Sequence, residues 1–82
     1  MKLKITKNGR GFRYAEFKDY NAEDCSIQES SSMNEPLLWL GCEHETIHHV
    51  TQQPIGARMH LNRPMARALV VALNRWIKTG KL

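Results

Sequence analysis

Eighty-two residues, 41% of them hydrophobic and 24% charged, suit one globular domain and argue against disorder; a second core does not fit. The densest apolar run, Ala68 to Leu73, falls far short of the roughly 20 residues that a membrane span requires. The net charge of +4 is segregated, with +4 over residues 1–20, −6 over 21–57 and +6 over 58–82, so a two-signed surface is expected unless the fold interleaves these segments.

In chain order, KLKIT at 2–6 alternates apolar and polar residues with the period of a half-buried strand. Asn8-Gly9 follows, a pair that supplies the positive φ angles of a tight hairpin turn. GFRYAEF at 11–17 resumes the alternation, so residues 1–19 are expected to form a β-hairpin. The start of the chain has no continuous apolar stretch and does not read as a signal peptide, which places the protein in a cytoplasm. Residues 23–42 hold two further strands. In CSIQESSS, Cys25 and Ile27 face one way and Ser26, Gln28 and Ser30 the other, while LLWLGC is dense enough for a buried central strand. Residues 43–56 lack periodicity and read as a loop; ARMHL at 57–61 returns to strand, with Ala57, Met59 and Leu61 opposite Arg58 and His60.

Residues 63–79 are the clearest element. Asn62 suits an N-cap, Pro64 lies in the first turn where its missing N–H is harmless, and Gly80 is a natural stop. Met65, Leu69, Leu73 and Trp76 recur at helical spacing, widened by Ala66, Val70 and Ile77. The expected fold is therefore α+β: a four- to five-stranded antiparallel sheet with one C-terminal amphipathic helix packed on one face. Trp39 and Trp76 are expected in its core, because so short a chain buries only roughly 60–65% of the surface its unfolded form exposes.

Residues 44–49, HETIHH, contain H-E-x-x-H, which on a helix places two imidazoles on one face to hold zinc. Here the helix is opposed by Gly41, by β-branched Thr46, Ile47, Val50 and Thr51, and by Pro54. No Asp or Glu follows Glu45, so a downstream carboxylate ligand does not exist. The stretch reads as a solvated loop and no cofactor is expected; a metal reading would draw on Cys42, His44, His48 and His60, with His49 a further candidate. Cys25 and Cys42 are too few for a disulfide framework and read as small buried residues or free thiols, although neighbouring strands would let them meet.

No assembled nucleophile or acid–base group is apparent, so a non-catalytic protein is expected. The hairpin interleaves Lys2, Lys4, Lys7, Arg10, Arg13 and Lys18 with Phe12 and Tyr14, as a surface for phosphates and bases would. The competing reading, aromatics in the core with lysines as a solvated face, is favoured because the chain is small.

CSIQESS at 25–31, LWLG at 38–41 and RMHLNR at 58–63, with the basic first strand and Arg10-Gly11-Phe12, resemble small, mostly uncharacterised proteins encoded by bacteriophages and prophages. The resemblance covers most of the chain and is weakest over residues 43–57. It implies an accessory protein acting in a bacterial host, where such proteins bind and block host macromolecules, including defence complexes of the CRISPR–Cas kind. Arg10, Arg13, Arg58, Arg67 and Arg75 are the candidate partner-binding residues. The alternative function is a basic nucleic-acid-binding module, and the third is zinc binding through HETIHH. Oligomeric state is left open by an edge strand that a second copy could pair with.

Overall fold

The computed structural model describes residues 1–30, 34–43, 46–47, 50–52, 54–55 and 57–82, with the side chains at 46, 47, 54 and 55 excepted. Its elements are β1 (Thr6–Lys7), β2 (Arg13–Lys18), β3 (Asp24–Glu29), β4 (Leu37–Cys42), β5 (Thr46–Ile47), β6 (Pro54–Ile55), β7 (Arg58–Asn62) and α1 (Arg63–Thr79). Five strands form one antiparallel sheet in the order β1-β2-β3-β4-β7, and β5 pairs with β6 as a separate ribbon. The protein is α+β.

The hairpin forms, but differs from expectation at both ends. Only Thr6 and Lys7 pair with β2, opposite Tyr14 and Arg13, so most of KLKIT stays outside the ladder and leaves Leu3 and Ile5 exposed. The positive φ falls on Gly11, not on the Asn8-Gly9 pair. Asn8 Oδ1 accepts the backbone N–H groups of Arg10 and Phe12, and the Gly11 N–H reaches the Asn8 carbonyl. A turn capped by the Asn8 side chain, then a left-handed glycine, joins the strands through a three-residue loop.

Alternation then sorts the sheet into two faces. The registers place Ala15, Phe17, Cys25, Ile27, Leu38, Leu40, Cys42, Met59 and Leu61 on one face. Tyr14, Glu16, Ser26, Gln28, Trp39, Arg58 and His60 lie on the other. Among the described residues, the buried apolar side chains are only Ala15, Cys25 and Leu61.

α1 has the predicted bounds. Asn62 Oδ1 accepts the Met65 N–H at 2.9 Å, Pro64 sits in the first turn, and Gly80 at φ 74 returns its N–H to the Trp76 carbonyl. Replacing Asn62 by Ala is expected to remove about 1 kcal/mol of helix stability. The check is thermal melting followed by the far-UV helical signal; an unchanged melt would show the cap to be idle.

The expectation that this helix buries its stripe on the sheet needs correction. No residue of α1 is buried, and Met65, Leu69, Val70, Leu73, Trp76 and Ile77 remain 37% to 71% exposed. The cause is the connection: β7 ends at Asn62 and α1 begins at Arg63, so no spacer lets the chain reverse over the sheet. Trp76 is therefore a surface residue.

Candidate functional site: an aromatic and cationic stack on the polar sheet face

β4 and β7 pair so that Trp39 faces His60 directly and Arg58 lies two pairs further along, on the same face, opposite Gly41. The Trp39 and His60 rings stack with centroids 3.9 Å apart and planes 5° from parallel. The Arg58 guanidinium carbon sits 5.1 Å from the Trp39 ring centroid, within cation–π range. His60 Nε2 lies 2.9 Å from the Ser30 hydroxyl, which ties the imidazole to the end of β3. Trp39 and Arg58 are half-buried and His60 is exposed, so the stack is held in place yet open to a partner.

Beside it the face is hollow. Gly41 contributes no side chain next to Ser26, its partner on β3. A shallow depression of about 230 Å³ opens among Asn8, Tyr14, Glu16, Ser26, Gln28 and Glu43. Ser26 is only 2% exposed, and its hydroxyl finds no hydrogen-bond partner. Leaving a buried hydroxyl unpaired costs roughly 1–3 kcal/mol, which a polar group entering the hollow would offset.

The five arginines do not form one surface. Arg10 lies at the hairpin tip, its guanidinium 5.6 Å from the half-buried Phe12 ring, and Arg13 is on β2, near one edge of the sheet. Arg58 belongs to the opposite edge strand, and Arg67 and Arg75 to the helix that follows it, where Arg75 donates to the Leu82 carbonyl at 3.0 Å. β3 and β4 lie between, so the acidic middle of the sequence separates two basic margins. Trp39, expected in the core, sits instead half-buried on the polar face, on the strand next to the sheet edge. LLWLGC carries no signal of its own for this, since nearly every position is apolar; its pairing with β3 and β7 puts Leu38 and Leu40 on the apolar face and leaves Trp39 beside Arg58 and His60 on the other.

His44 and His48, with Glu45 and His49, lie outside the described residues. Cys42 and His60, the described members of the metal set, project from opposite faces and cannot meet at one ion. Cys42 instead faces Cys25, sulfur to sulfur at 3.6 Å, and both thiols are free. One carboxylate oxygen of Asp19 comes within 4.8 Å of both sulfurs. However, Asp19 Oδ1 already accepts the backbone N–H groups of Asn21 and Glu23, which accounts for the carboxylate without an ion.

Burial, together with the hydrogen bond to Cys42, pushes the Cys25 thiol up to about 11. The reactive species is the thiolate, so at neutral pH Cys25 is expected to alkylate about two orders of magnitude or more below an ordinary cysteine. The rate should rise roughly tenfold per pH unit towards the raised pKa. Peptide-mapped iodoacetamide labelling across a pH series reads this directly, and an ordinary rate at neutral pH would contradict it.

No helix among the described residues is long and apolar enough to cross a membrane. The chain matches no protein-family model, no curated protein and no solved structure.

Proposed function

We propose that this chain is a non-catalytic accessory protein of the phage or prophage kind that binds and modulates a macromolecule in the cytoplasm of a bacterial host. Inhibition of a defence system such as CRISPR–Cas is the role to which the resemblance points. The observation that carries the reading is the Trp39–His60 stack with Arg58 over the indole. Tryptophan and arginine dominate binding hot spots, and here both are pre-arranged on a rigid sheet rather than a loop. The neighbouring hollow, with its unpaired Ser26 hydroxyl, offers a polar anchor beside the aromatic one.

The test is affinity capture from bacterial lysate with the wild-type chain and Trp39→Ala side by side. A host protein retained by the first and lost by the second supports the reading; failure to retain any across several host lysates and salt conditions counts against it.

Nucleic-acid binding is the second reading, favoured by the cation beside the indole and by the basic hairpin with Arg10 near Phe12. Phosphate-driven binding weakens steeply between low and physiological salt. A flat or absent response in a salt titration with single-stranded DNA and RNA removes it.

A further inference from the structure

The apolar stripe of α1 is exposed, and on the apolar side of the sheet Met59 is exposed while Phe17, Ile27, Leu38 and Leu40 are only half-buried around the buried Ala15, Cys25 and Leu61. The whole chain exposes 7127 Å², whereas a folded monomer of 9.5 kDa exposes about 5,000 Å². Its radius of gyration is 14.6 Å, against about 12 Å for a compact domain of this length. The surplus of roughly 2,000 Å² per chain, to which the exposed residues before β1 also contribute, is of the size that a missing partner would leave. A 17-residue helix standing alone is also marginal in water, so α1 needs cover to persist.

We infer that the cover is a second copy of the same chain, with α1 of each protomer lying on the apolar sheet face of the other. Three features select this occupant. The direct run from β7 into α1, with Asn62 both strand residue and cap, denies the helix its own sheet. The exposed stripe and the half-buried sheet face belong to one chain, so a two-fold axis satisfies both in a single reciprocal exchange. Covering the surplus on both copies buries roughly 4,000 Å² in total, within the range of obligate homodimers.

Charge agrees with the exchange. α1 carries Arg63, Arg67, Arg75 and Lys78 with no acid, while residues 21–57 carry six acids and no Lys or Arg. Glu29 shares the apolar sheet face, where it accepts the Arg13 N–H, so a helix laid across the partner's sheet brings its basic margin towards that carboxylate; Asp24 and Glu43 belong to the polar face. The receiving surface is Phe17, Ile27, Leu38, Leu40 and the exposed Met59. It ends in a pocket of about 300 Å³ at the root of the helix, where Phe12, Pro36, Leu38 and Leu61 meet Ala66. The Trp39 stack lies on the other face and stays outside this contact.

Sedimentation velocity from low micromolar to near-millimolar protein is expected to give twice the 9.5 kDa chain mass. Leu73→Glu, placed in the stripe, should weaken self-association about a hundredfold or more. Because that variant could also unfold, the decisive measurement uses wild-type chains mixed as isotope-labelled and unlabelled copies. Filtered NMR spectra should show contacts from Leu69, Leu73 and Trp76 of one copy to Ile27 and Leu40 of the other. A monomeric mass throughout overturns the inference, as does a dimer without those intermolecular contacts. Dissociation of the dimer onto phosphatidylserine vesicles overturns it too, since α1 would then be a membrane-surface helix.

Discussion

Gly41→Ala is expected to be the most damaging single-methyl change in the described fold. Gly41 lies in β4 at φ +148, a conformation that L side chains rarely adopt. A Cβ there would sit 2.5 Å from the Ala57 carbonyl oxygen and 2.8 Å from Arg58 Cα. Both are backbone atoms at the start of the neighbouring strand, Ala57 just before β7 and Arg58 its first residue, so no side chain can rotate away to make room. Relief requires β7 to separate from β4, and β7 holds Arg58, His60 and the root of α1. Strained backbone alone costs about 1–3 kcal/mol, and the clash adds to it. A domain of this length has a total stability of roughly 4–12 kcal/mol. The melting temperature should therefore fall by roughly 10–20 °C or more, measured by circular dichroism. An unchanged melt would mean that β4 and β7 are not held as described.

Those contacts were not legible at the level of residue type. Glycine in LLWLGC marks a close approach or a bend, but its neighbour across the sheet is 17 residues away. What the chain does announce is local chemistry. Asn62, Pro64 and Gly80 bound the helix because capping depends only on adjacent backbone groups. RYAEFK, CSIQE and RMHL reveal strands because their polar and apolar residues alternate. LLWLGC hides its two faces, since nearly every position is apolar; only the pairing with β7 shows Trp39 turned towards His60.

The helix stripe was legible as a surface needing cover, but periodicity does not say whose surface provides it. That depends on how the chain enters the helix, a property of the junction at Asn62 rather than of hydropathy. The turn shows the same limit in miniature. Asn8-Gly9 has the composition of a two-residue turn, yet the Asn8 side chain captures two backbone donors and moves the left-handed position to Gly11.

Trp39→Ala carries the second large effect, on binding rather than on folding. The indole is the member that both other groups touch: His60 stacks on it at 3.9 Å and Arg58 approaches it at 5.1 Å. Its loss leaves an imidazole and a guanidinium with no common platform. Truncating a hot-spot tryptophan removes 2 kcal/mol or more of binding free energy, so if the chain binds a host macromolecule as proposed, affinity for it should fall at least about thirtyfold. His60→Ala, which leaves the Trp39–Arg58 pair, should lower affinity less. The comparison with Leu73→Glu separates the two faces of the sheet. If the polar face meets the host, a dimer presents two copies of the stack, one on each outer surface. Leu73→Glu then lowers apparent affinity only through lost bivalency, while each single site keeps its strength. Titration by calorimetry against the purified partner measures both. Binding untouched by Trp39→Ala but abolished by Leu73→Glu would place the host on the apolar side and refute the stack as the working surface.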